Sequence, residues 1–171
     1  MTRDEYKAKV DSLRTTYSKG GIFLVNRVLS EKTKAKDALG EIREHLQSLE
    51  RGEDVVGALN GLDEEYLNIH QIAEKAKKNL KSLSKRAASH PELWEAYDAA
   101  VEKAAICLGW LDSFNIRLIS WRAGDPGWGV NAGLRSRLEQ AEVYLDMVYA
   151  YAAGFKAQDP AIRVLKPEHS G

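Results

Sequence analysis

Two histidines stand near carboxylates: His45 follows Glu41 and Glu44, and His70 follows Glu65. A di-iron centre inside a helical bundle would need inward glutamates together with Glu-x-x-His pairs on facing helices. Neither histidine has a glutamate three residues before it, so that set is incomplete. Each also borders a core position, His45 beside Leu46 and His70 beside Ile69, where a solvated or boundary imidazole is the ordinary outcome. Met147 with His45 or His70 could offer two axial ligands to a haem. No metal or cofactor is expected from these residues.

Nucleophilic chemistry has little to work with. The single cysteine, Cys107, falls among Ala104, Leu108 and Leu111, where a thiol behaves as a small inert hydrophobe. The chain carries neither a Walker-type phosphate loop nor a Gly-x-Ser-x-Gly elbow. The sequence therefore points away from an enzyme.

Charge offers a stronger signal. Lys75, Lys77, Lys78, Lys81, Lys85 and Arg86 follow one another with no acid between Lys75 and Pro91, and Lys77, Lys81 and Lys85 recur at spacing four along one helical face. Such a row could neutralise phosphates, which makes nucleic-acid binding the alternative function. No aromatic is interleaved in the row and the net charge is zero, so a solvated face with lysine stems covering apolar edges is the favoured account of it. Farther on, Trp128 sits among Gly124, Pro126, Gly127 and Gly129, as a partner anchor or as a plug for the end of the fold.

The elements that must position these groups are helices. Apolar residues recur at alternating spacings of three and four, the mark of a helix with one buried face. The stripe Leu62, Tyr66, Ile69, Ala73, Ala76, Leu80, Leu83, Ala87 predicts a helix from Asp63 to Ala88. Pro91 then starts another, with Leu93, Tyr97, Ala100, Ala104, Cys107, Leu111, Phe114, Leu118 and Trp121 inward. Asn131 caps a last helix with Leu134, Leu138, Ala141, Leu145, Val148, Ala152 and Phe155 inward.

Before these, a helix from about Ile22 to Glu50 places Val25, Val28, Ala35, Leu39, Ile42, Leu46 and Leu49 inward, with Lys32 at a discordant core position. Arg51 to Gly61, holding three glycines, reads as a loop. A short leading helix carries Tyr6, Val10, Leu13 and Tyr17 and is interrupted at Gly20 and Gly21. Four long helices of ~40 to 50 Å with short connections predict an all-α, antiparallel, up-down-up-down four-helix bundle behind that leading helix.

Composition sets the outer bounds. The chain of 171 residues fits one domain, read as residues 1–160 with a flexible tail over 161–171. Twenty-five basic residues balance twenty-five acidic ones, so no whole-molecule field draws it to nucleic acid or to an anionic membrane. The greasy stretches 104–121 and 143–155 are interrupted by charge or too short to span a bilayer, and a single cysteine suits a reducing compartment. The expectation is a soluble, cytoplasmic protein with no membrane role.

What remains is surplus apolar surface. Ile106, Trp110, Ile116 and Ile119 lie off the main stripe of the Pro91 helix, and Val143, Tyr144, Met147, Tyr149 and Tyr151 lie off that of the last helix. A helix apolar all round is covered all round. The leading helix is a small lid, so the sequence favours a non-enzymatic interaction protein, an adaptor, inhibitor or assembly subunit. It would bind itself or a protein partner through Ile106, Trp110, Trp128, Tyr144 and Tyr151.

Overall fold

The computed structural model describes residues 2–8, 21–89, 91–122 and 130–157, and the side chains of 130–132 lie outside that description. The described residues are helical almost throughout and contain no strand. Five helices follow one another: α1 Gly21–Ser30, α2 Lys32–Arg51, α3 Val55–Arg86, α4 Pro91–Arg122 and α5 Val130–Ala157. Residues 3–8 are also helical. A capping box starts them, in which Glu5 N donates to Thr2 Oγ1 (3.1 Å) and Thr2 N donates to Glu5 Oε2 (3.2 Å). Val10, Leu13, Tyr17, Trp128 and the tail lie outside the described residues.

Two expectations are corrected. The helix read as continuous from Ile22 to Glu50 is two helices, broken at Glu31, whose φ of −88° and ψ of −4° lie at the edge of helical space. Its N–H closes a tight i−3 bond to Val28 O (3.3 Å), and Ser30 Oγ donates back to Arg27 O (2.9 Å), competing with the regular ladder. The break removes the discordance in the stripe. Val28 and Ala35 are both buried, while Lys32 turns out to solvent.

The second correction concerns the glycines after Arg51. Only Gly52 belongs to a loop: its φ of 66° ends α2 in the left-handed conformation, with its N–H on Leu49 O at 3.2 Å. Asp54 then caps α3 by accepting from Gly57 N at 3.3 Å, so α3 begins at Val55 and not at Asp63. Gly57 and Gly61 are helical positions where a side chain would collide, Gly57 with the Asp54 cap and Gly61 with the His45 ring.

α2 packs on α3 and α5, and α4 packs on the same two helices, with the α4–α5 contact the most extensive; α1 sits on α3 and α5. Cross-helix pairs fall in opposite chain order. Glu50 meets Arg135 (2.7 Å), and Arg43 and Lys36, earlier on α2, meet Glu142, later on α5. On α3 and α4, Asp63 meets Arg122 (2.9 Å) and His70 meets Asp112 (3.1 Å). Leu39, Ile42, Leu62, Ile69, Leu80, Leu111, Phe114 and Tyr97 are wholly buried in the shared core. Removing that much apolar surface from water is the main force holding the helices together.

Candidate docking face on α4 and α5

The α4–α5 seam is built from two facing edges. Arg137 of α5 donates from Nε to Ser113 Oγ of α4 (2.7 Å) and from Nη1 to Gly133 O (2.9 Å). Gly133 leaves room for Arg117, whose Nε would lie 3.2 Å from a Cβ there. Nearer the start of α4, Lys103 stands over the Tyr144 ring (5.9 Å) and Tyr97 meets Phe155 edge-on, centroids 4.6 Å apart. Positions 103, 106, 110, 113 and 117 follow helical spacing along one edge, which brings Ile106 and Trp110 onto the same seam.

Of the residues read as partner anchors, Trp110, Tyr144 and Tyr151 are half-buried and packed against the core, and Ile106 is half-buried. Tyr149, counted among the surplus, is instead buried to 2 % exposure. α5 faces both α4 and the α1–α2 side, so its buried arc is wider than a single stripe. The large apolar residues left exposed are Val143 and Met147 on α5 and Trp94, Ile116 and Ile119 on α4. The two isoleucines lie toward the end of α4 marked by Arg117 and Arg122, whereas Met147 lies near the Lys103–Tyr144 contact.

On α5, the exposed positions from Val143 to Ala153 are Val143, Asp146, Met147, Ala150 and Ala153. The one charge among them, Asp146, is drawn toward α2 by its ion pair with Lys36. The rest form an uncharged strip, flanked on the α4 side by Tyr144, Tyr151 and the Trp110 edge.

The other candidates separate. Lys75, Lys78, Lys81, Lys85 and Arg86 are exposed and Lys77 is half-buried; they spread over the whole outer arc of α3 rather than along one line. His70 lies between two carboxylates, Nε2 3.1 Å from Asp112 and Nδ1 3.3 Å from Glu74, while Tyr66 donates to the same Asp112 oxygen (3.4 Å). Burial, with Asp112 beside it, pushes the Tyr66 hydroxyl up to about 12. His45 rests over Gly61 and Met147 is on the outside, so neither joins His70 in an interior ligand pair. Among the described residues no three His, Cys, Asp or Glu side chains gather as a metal site, and no helix is long and apolar enough to cross a membrane. Burial pushes the Cys107 thiol up to about 12, which keeps it protonated and unreactive.

Comparison with protein-family models, with curated proteins and with solved structures gave no match.

Proposed function

We propose that the chain is an antiparallel, up-down-up-down four-helix bundle that acts without catalysis, as an interaction protein docking a second copy or a protein partner through α4 and α5. The arrangement is supported by the ring of neighbours α2–α3–α4–α5, by cross-helix pairs in opposite chain order, and by α1 continuing the α2 side across a one-residue break. The observation that carries the function is the uncharged exposed strip Val143, Met147, Ala150 and Ala153 beside the half-buried Tyr144 and Tyr151. Apolar residues kept in water along one helix are unfavourable unless a partner covers them. With zero formal charge, no long-range repulsion keeps two copies apart.

Val143→Asp with Met147→Asp tests this reading, because both positions are exposed and the changes leave the core intact. Light scattering on the wild type is expected to show a dimer or larger species, and the double variant a monomer with unchanged helicity. A monomeric wild type whose pull-down partners are indifferent to the double variant would remove the proposal.

A further inference from the structure

The lysine arc of α3 gains, from α1, the groups that its own sequence lacks. α1 packs against α3, and between them runs a trough of about 250 Å³. Its walls carry Arg27, Lys75 and Lys78, its floor is Val28 and Ala76, and Glu31 is the one carboxylate on it. One turn before Arg27 on α1 stands Phe23, an aromatic ring 59 % exposed, with the Arg27 guanidinium 5.5 Å from its centroid.

Among the described residues none of Arg27, Lys75, Lys78, Lys81, Lys85 and Arg86 forms an ion pair, whereas Lys36, Arg43 and Arg122, which lie at helix seams, all do. Unpaired cations lining a trough, with a ring at its margin, are the two things a single nucleic-acid strand needs: neutralised phosphates and a face for a base. A duplex hides its base faces, and a lipid surface is too broad to enter a trough. An acidic peptide brings a planar group only where it carries an aromatic residue, whereas every nucleotide of a single strand brings a base beside its phosphate.

We propose that the α1–α3 trough binds the backbone of single-stranded nucleic acid, with phosphates on Arg27, Lys75 and Lys78 and a base stacked on Phe23. This surface is separate from the α4–α5 face and stands or falls independently of it. Glu31 opposes the ligand from the trough wall, so its neutralisation strengthens binding.

Fluorescence anisotropy with a short labelled oligothymidylate, a duplex of equal length and phosphatidylserine vesicles tests the proposal, with helicity measured for every variant. The single strand is expected to bind best, with a slope of log K against log salt of about −2, corresponding to three phosphates. The triple variant Arg27→Gln, Lys75→Gln, Lys78→Gln should flatten that slope. Phe23→Ala should weaken binding about tenfold at an unchanged slope, and Glu31→Gln should tighten it. Absence of binding by the folded wild type at low salt, a triple variant that binds equally well, or preference for duplex or vesicles would each overturn it.

Discussion

Gly61 of α3 lies directly beneath His45 of α2, so close that a Cβ on the glycine would overlap the imidazole. The glycine is therefore a space left for a neighbour rather than a turn. Gly61→Ala brings a helix-propensity gain of about 1 kcal/mol, but it also forces out a half-buried ring, at roughly 1–3 kcal/mol for overpacking. The expected result is a modest net loss in the single variant and a gain of about 1 kcal/mol when the same change is made on a His45→Ala background. Denaturant melts of the four-member cycle read this directly; additive effects would show that the ring swings away at no cost.

The same pair shows where the sequence was legible and where it was not. The three-four stripes located the core: Val25, Leu39, Leu46, Leu80, Leu111 and Leu145 are all buried, as are all seven stripe positions of α5. Among the described stripe positions Tyr6, Tyr66, Leu93 and Trp121 are half-buried. Such stripes are legible because burial acts on side chains one turn apart on a single helix.

Nothing local marks the glycines at 57 and 61 as helical, because their reason lies in other side chains, Asp54 and His45, and glycine counts as a loop former when its neighbours are unknown. The trough on α1 and α3 escaped for a related reason. Arg27 and Lys78 are about fifty residues apart and meet only through packing. The partner face was legible in part. The surplus apolar residues were visible, but division of α5 between covered Tyr149 and exposed Met147 depends on which helices flank it.

Tyr149 gives a second prediction. Its ring is buried while its hydroxyl has no hydrogen-bond partner among the described residues. Burial raises its ionisation well above the ordinary phenol value, with nearby Cys107 adding to the shift. An orphaned buried hydroxyl costs about 1–3 kcal/mol of desolvation. Tyr149→Phe keeps the ring and removes the orphan, so the variant should be more stable than the wild type by about 1 kcal/mol, visible as a raised Tm. A lowered Tm would mean that the hydroxyl is satisfied in solution.

Glu142 is the hub between α2 and α5: it accepts from Lys36 at 3.2 Å and from Arg43, and its side chain is 23 % exposed. Asp146, 50 % exposed, shares only Lys36. Exposed pairs contribute little individually, whereas losing the shared, half-buried Glu142 leaves Arg43 without its carboxylate and Lys36 with Asp146 alone. Glu142→Gln should cost about 1–2 kcal/mol and Asp146→Asn less than about 0.5 kcal/mol, and the gap should narrow in molar salt. Equal costs at low salt would place the attraction elsewhere.

Alkaline pH supplies the last test, and its direction follows from three groups besides Tyr149, whose ionisation burial also raises. Burial pushes Cys107 from an ordinary 9.0 up to about 12, and burial with the Asp112 carboxylate pushes Tyr66 from 10.0 up to about 12. Burial works to lower Lys36, yet its hydrogen bonds to Asp146 and Glu142 outweigh that and raise it above 10.5. In each case the folded chain holds its proton more tightly than the unfolded chain. Their stabilisation is thus whole below pH 9 and is lost as pH rises from there through the raised folded values, about 12 for Cys107 and for Tyr66. Chemical denaturation at stepped pH should show a flat plateau near neutrality and a decline beginning above pH 9, with the early part of the decline missing in Cys107→Ala compared at equal starting stability. Phenolate absorbance should show Tyr66 ionising later than an exposed tyrosine, and Asp112→Asn should bring it forward because one of the charges opposing the phenolate is gone. A Tyr66 that titrates with the exposed rings would mean that the α3–α4 seam around Asp112 is open to water.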